Sequence, residues 1–184
     1  VEDEEEYRES SDGENQPRKR NIEDIKNQVM EIEAEGTQLK LDFSYQDISE
    51  EVFDSLCSED FWDRIDKKQI SHLEVKFSTS SLTDRQFTKF AQIIFSDMEN
   101  LTSITMNFAK TKISQESIGV LSHQYLKNYK LMSFKLNCSR VTIGDKGLKS
   151  IDDGLSWSVQ TLENIEIILD STDLRGEKFL DVLM

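Results

Sequence analysis

Five short apolar phrases recur along the chain at near-constant spacing. They are Leu39-x-Leu41-x-Phe43, Leu73-x-Val75-x-Phe77, Ile104-x-Met106-x-Phe108, Phe134-x-Leu136-x-Cys138 and Ile165-x-Ile167-x-Leu169, with starts 34, 31, 30 and 31 residues apart. Nine residues after each start stands another aliphatic: Ile48, Leu82, Ile113, Ile143 and Leu174. Five further on come Phe53, Phe87, Ile118, Leu148 and Phe179, and three beyond those Leu56, Phe90, Leu121, Ile151 and Val182. Six apolar positions kept in register over five units require one local fold built five times. That is the signature of an array whose units bury their apolar sides against their neighbours.

Within each unit, alternation over five residues predicts a strand with one parity of side chains buried. A short polar loop follows, at 44–47, 78–81, 109–112, 139–142 and 170–173. Next comes a helix opener: Ser49, Thr83, Ser114, Gly144 or Arg175. Thr83 to Gln86 spell a capping box, in which each end of the motif satisfies a free backbone amide of the other. Apolar residues at helical spacing, such as Phe87, Phe90, Ala91, Ile94 and Phe95, predict a helix of about 14–18 residues. A strand and a helix in strict alternation require parallel strands joined by right-handed crossovers. Because every unit has the same pattern, all helices fall on one side. The predicted class is α/β, a curved parallel sheet lined outside by helices, with about five repeats.

Leu101-x-x-Ile104-x-Met106 and Leu131-x-x-Phe134-x-Leu136, the latter followed by Ile143-Gly-Asp-Lys-Gly147-Leu148, carry a resemblance to a known family. They look like leucine-rich repeats of the ribonuclease-inhibitor type, in a divergent form similar to the long arrays of protist proteins. Ile70, Leu101, Leu131 and Leu162 supply the first leucine of that phrase, and Gly36 breaks it in the first unit. The resemblance covers 36–184, the last repeat being truncated, and implies a horseshoe solenoid. The chain departs from the family pattern where Asn or Cys usually forms a buried ladder; Ser44, Ser78, Ala109, Ser139 and Asp170 stand there instead. Its units are two or three residues longer than is typical, each with an extra inward residue: Phe43, Phe77, Phe108, Cys138 or Leu169.

Two segments precede the array. Residues 1–20 hold eight acids, four bases and the single proline, and read as an acidic disordered tail. Ile22, Ile25, Val29 and Ile32 share one side of a helix over 21–35, which reads as an N-terminal cap for the first unit.

The net charge of −14 argues against nucleic acid and against an anionic membrane surface as the main partner. No apolar run approaches the ~18 residues that cross a bilayer. Cys57 and Cys138 make no disulfide framework and read as buried small hydrophobes. The expected compartment is cytoplasmic, with Arg18-Lys19-Arg20 leaving a nuclear address open. Neither His72 nor His123 has a Cys or carboxylate at ligand spacing. Gly144 to Gly147 lacks the Gly-Lys-Ser/Thr ending of a phosphate loop. The reading is therefore of no enzyme, no cofactor and no metal.

What such a chain offers is surface. Strand residues of outward parity form two columns on the concave side: Lys40, Glu74, Thr105, Lys135, Glu166 and Asp42, Lys76, Asn107, Asn137, Ile168. Adjacent strands bring Lys40 to Glu74, Asp42 to Lys76 and Lys135 to Glu166, which predicts a polar, near-neutral face. The expected function is non-enzymatic: a protein–protein interaction module or scaffold, a segment or subunit of a larger multi-protein assembly. The alternative is a regulatory subunit of an enzyme, either a GTPase activator or a ubiquitin-ligase substrate receptor. Arg85, Arg140 and Arg175 are the arginines on its loops and helix starts.

Overall fold

A computed structural model describes residues 36–174 except 59–61, 64 and the side chain of Val52. The tail, the capping helix, Arg175, Phe179 and Val182 lie outside the described residues. Five strands form one open parallel sheet in the order β1 (Gln38–Asp42), β2 (His72–Lys76), β3 (Ser103–Asn107), β4 (Ser133–Asn137) and β5 (Asn164–Ile168). Helices α1 (Glu50–Leu56), α2 (Asp84–Ile94), α3 (Gln115–Val120) and α4 (Gly144–Leu155) connect them.

The register is uniform. Leu39 pairs with Leu73, Ile104, Phe134 and Ile165 in turn, and Leu41 with Val75, Met106, Leu136 and Ile167. These side chains share one parity, so they enter one interior, where the first four of each row are at most 2% exposed. Phe53, Phe87 and Ile118 from α1, α2 and α3 join the same cluster, which places the helices over this face of the sheet. The extra inward residues form a spine. Phe43 stacks on Phe77 at 4.9 Å between ring centres and Phe77 on Phe108 at 6.3 Å, while Phe90 meets Phe77 edge-on at 5.3 Å. Offset stacks and edge contacts of this kind each contribute ~0.5–1.5 kcal/mol beyond burial. Cys138, fully buried, continues the row.

The sheet bonds run on past the strands. The amides of Tyr45, Thr79, Lys110 and Arg140 donate to the carbonyls of Ser78, Ala109, Ser139 and Asp170 at 2.8–3.0 Å. Tyr45, Thr79, Lys110, Arg140 and Ser171 all hold φ between +56° and +59°. None is glycine, so each accepts a conformation that disfavours a Cβ. The turn gains something in return: the residue after Thr79, Lys110, Arg140 or Ser171 donates back to the carbonyl of Phe77, Phe108, Cys138 or Leu169 at 3.1–3.3 Å. At the other end of the strands, Thr37, Ser71, Thr102 and Met132 each present a carbonyl that takes two amides of the next unit.

The helices depart from the expected 14–18 residues. α1 has seven, α2 eleven, α3 six and α4 twelve. The chain has to come back to the next strand within its unit, and it does so by changing the pitch of the last turns. α3 widens into a π turn over Leu121–Tyr125 and then tightens into a 3-10 turn over Leu126–Asn128; α4 tightens over Ser156–Ser158. The indole N–H of Trp62 donates to the Leu56 carbonyl at 2.6 Å and satisfies the end of α1. Thr83 and Gln86 form the capping box at α2, and Ser114 caps α3 through the Glu116 amide. Leu148 is only half-buried, because Gly147 takes the position closest to the interior. A Cβ on Gly147 would stand 3.0 Å from that of Ile143.

Candidate functional site

The candidate surface is the face of the sheet turned away from the helices. On it the two columns lie side by side, in the order Lys40, Glu74, Thr105, Lys135, Glu166 and Asp42, Lys76, Asn107, Asn137, Ile168. Lys40, Asp42, Lys135 and Glu166 are exposed, and the other six are half-buried. Three lysines stand against three carboxylates on these columns, so their formal charges cancel.

The charges are not matched simply by strand neighbours. Lys135 does meet Glu166, across β4 and β5, at 3.0 Å. Glu74, however, holds Lys76 of its own strand at 2.6 Å rather than Lys40 of the next. Residues two apart on one strand share a face, and here the shorter reach wins. The Lys76 ammonium is held above its ordinary pKa by the hydrogen bond to Glu74 first; burial opposes this, and the charges of Glu74 and Asp42 add to it. Asp42 faces Lys76 in register, but its carboxylate accepts the Ser44 amide at 2.9 Å.

This last contact recurs. Asn107 accepts the Ala109 amide at 3.0 Å and Asn137 the Ser139 amide at 2.9 Å. Asp42, Asn107 and Asn137 thus end their strands by an Asx turn, a short polar side chain bonding the backbone two residues on. Three of the ten surface residues therefore spend one oxygen on the fold and present what remains. An Asp or Asn two residues ahead of Ser or Ala, at the end of an alternating run, was the sequence signal for this role. Lys76 and Ile168 break the series, and Lys76 takes Glu74 instead.

At the helix side of the loops a second polar cluster links units two and three. Asp84, first residue of α2, accepts the Ser114 amide and hydroxyl at 2.8 Å each, the Ser117 amide at 3.3 Å and the Ser117 hydroxyl. Burial pushes the Asp84 carboxyl up, but the hydrogen bonds from Ser117 and Ser114 outweigh it and hold the group below its ordinary value. Asp173 does a related service between units four and five, accepting the Gly144 amide at 2.8 Å. Both carboxylates are engaged in joining units.

The residues set aside by sequence stay apart from one another. His72 is exposed on β2, its Nδ1 2.7 Å from the Ser71 hydroxyl, and His123 is exposed on the π turn. Burial raises the Cys138 thiol to about 12, and burial, offset in part by Lys89, raises that of Cys57 to about 11. Among the described residues no three His, Cys, Asp or Glu side chains gather in a way that could hold a metal ion. Among them, too, no helix is long and apolar enough to cross a membrane. A groove of about 550 Å³ on the helix side is lined by Trp62, Ile65, Ile93, Lys67 and neighbouring acids, and contains none of the ten surface residues. Lys67 donates there to the Ile93 carbonyl at 2.9 Å.

No protein-family model matches the chain, and no curated protein matches it.

Proposed function

We propose that this chain is a leucine-rich-repeat solenoid of horseshoe shape, and that it serves as a protein-binding module within a larger assembly. The observation that carries the reading is the polar sheet face itself. Fifteen strand residues stand in fixed register there, with apolar side chains buried behind them. Short parallel strands anchored on one side and bonded at both ends form a rigid surface, and rigidity lowers the entropy lost on binding. Its chemistry suits a protein. Both signs of charge, amides and hydroxyls alternate over a wide area, which fits a polar partner surface better than a small molecule, a phosphate backbone or a membrane.

Lys40, Lys135 and Lys76 are the positions at which a partner reads charge. Lys40 has no ion pair among the described residues, while Lys76 and Lys135 already lean on Glu74 and Glu166. The triple charge reversal Lys40→Glu, Lys76→Glu and Lys135→Glu, all on the solvent side, tests the assignment. Affinity capture from the native source, quantified by mass spectrometry, should show partners of the parent chain lost from the variant. An unchanged set of partners removes the concave-face assignment.

A further inference from the structure

The rim of the sheet is not neutral as its columns are. The turns after β2, β3 and β4, residues 77–81, 108–112 and 138–142, hold no acid, although the chain carries 36 acids against 22 bases. Lys110, Lys112 and Arg140 stand in these turns, and all three are exposed. Lys110 and Arg140 occupy equivalent left-handed stations on neighbouring units, and the Lys110 amide donates to the Ser139 carbonyl at 3.0 Å. Their backbones are therefore one strand spacing apart, ~4.8 Å. Like charges set side by side repel. Among the described residues, nevertheless, none of the three cations has an ion pair.

The Asx turns extend this one-sided chemistry. Asn107 and Asn137 spend their side-chain oxygens on the Ala109 and Ser139 amides. What each has left is its Nδ2 group, a donor with no partner among the described residues. Units three and four thus present three cations and two amide donors together. Asp170 and Asp173 bound the patch on the β5 side, where Asp173 is already occupied by the Gly144 amide.

We propose that this donor-rich patch docks an acidic peptide segment of a partner protein, with carboxylates set against Lys110, Arg140 and the Asn107 and Asn137 amides. The inference rests on the reading of the chain as a protein-binding module and names the chemistry of the partner. Charge complementarity selects a short segment over a long polyanion. The attraction is local, fading over ~8 Å at physiological ionic strength, whereas a nucleic acid running past the patch meets the field of a chain with net charge −14.

The probe is a short fluorescein-labelled peptide of alternating Glu and Ser, with its Gln and Ser counterpart as control. Fluorescence anisotropy with the full chain at low ionic strength should show saturable binding of the first peptide only, weakening as salt rises. Lys110→Glu with Arg140→Glu should weaken it roughly tenfold or more. Asn107→Asp with Asn137→Asp keeps the Asx turns, since Asp42 already makes one in the first unit, but replaces both outward donors; it should weaken binding roughly fivefold or more. Lys127→Glu with Lys130→Glu removes the same charge from exposed positions ahead of β4, at the other end of the strands, and should leave binding within about twofold. Absence of binding, equal binding of the Gln peptide, an oligonucleotide of equal charge held as tightly, a silent rim or Asn pair, or equal weakening by the Lys127 and Lys130 pair overturns the inference. So does affinity capture from the native source in which the column variant loses partners and the rim variant keeps them all, a result that leaves the concave-face reading standing.

Discussion

Replacing Asp84 isolates what joins one unit to the next. This carboxylate sits on α2 but takes four hydrogen bonds from Ser114 and Ser117 at the start of α3. Asp84→Ala removes the acceptor from two backbone amides and two hydroxyls. Bonds to a charged group contribute ~1.5–3 kcal/mol each when fully buried, and water replaces part of that at a half-buried site, so a loss of about 2–3 kcal/mol is expected for the whole set. Asp84→Asn keeps one acceptor oxygen but not the charge, and should lose about 1–2 kcal/mol. Chemical denaturation at a series of pH values is the assay. The folded pKa is depressed, so the stabilisation is fully present above the unfolded carboxyl value near ~3.9 and fades as pH falls through the folded value. The gap between parent and Asp84→Asn should therefore be constant from neutral pH down to mild acid and close in stronger acid. Ser117→Ala should be coupled to Asp84→Ala by ~0.5 kcal/mol or more in a double-mutant cycle. Equal stability of parent and Asp84→Asn at neutral pH, or a gap that persists in acid, refutes the argument.

Thr79 is the β-branched member of the left-handed row, at φ +57°, so Thr79→Gly should raise stability by up to about 1 kcal/mol in thermal or chemical unfolding despite the looser unfolded chain. Gly154 lies against α3's continuation, where a Cβ would meet Ser122 Cα and Cβ at 3.0 Å and the Ser122 carbonyl oxygen at 3.1 Å. Gly154→Ala therefore forces two helical segments apart and should destabilise by ~1–3 kcal/mol in the same assay. Cys138, buried and with its thiol raised to about 12, should resist alkylation at neutral pH in the folded chain and react on unfolding, as read by mass spectrometry.

Much of this architecture could be read from residues alone because burial leaves a strong trace. Leu39, Leu73, Ile104 and Phe134 could not serve four identical strands without sharing a register, and they do. The fifth member, Ile165, stands in the same register but not in the same burial, since burial depends on a neighbour and a pattern does not name one. Helix length left less trace: Ser122, Asn128 and Ser156 are as acceptable in α-helix as in the π and 3-10 turns that replaced it. The Asx turns left none that charge-column reasoning would detect. Asp42, Asn107 and Asn137 look like surface residues by parity, and the signal that each lends an oxygen to the backbone lies instead in its place two residues ahead of Ser or Ala at a strand end.

The left-handed row has a consequence for how such a chain diversifies. At Tyr45, Lys110, Arg140 and Ser171 the main chain is bonded at fixed points while the side chain projects, exposed, from the rim of the sheet. An aromatic, two cations and a hydroxyl already occupy equivalent stations, so the scaffold has accepted very different chemistry there without altering its path. Surface chemistry can therefore change along that rim one residue at a time, leaving the frame that carries it unchanged.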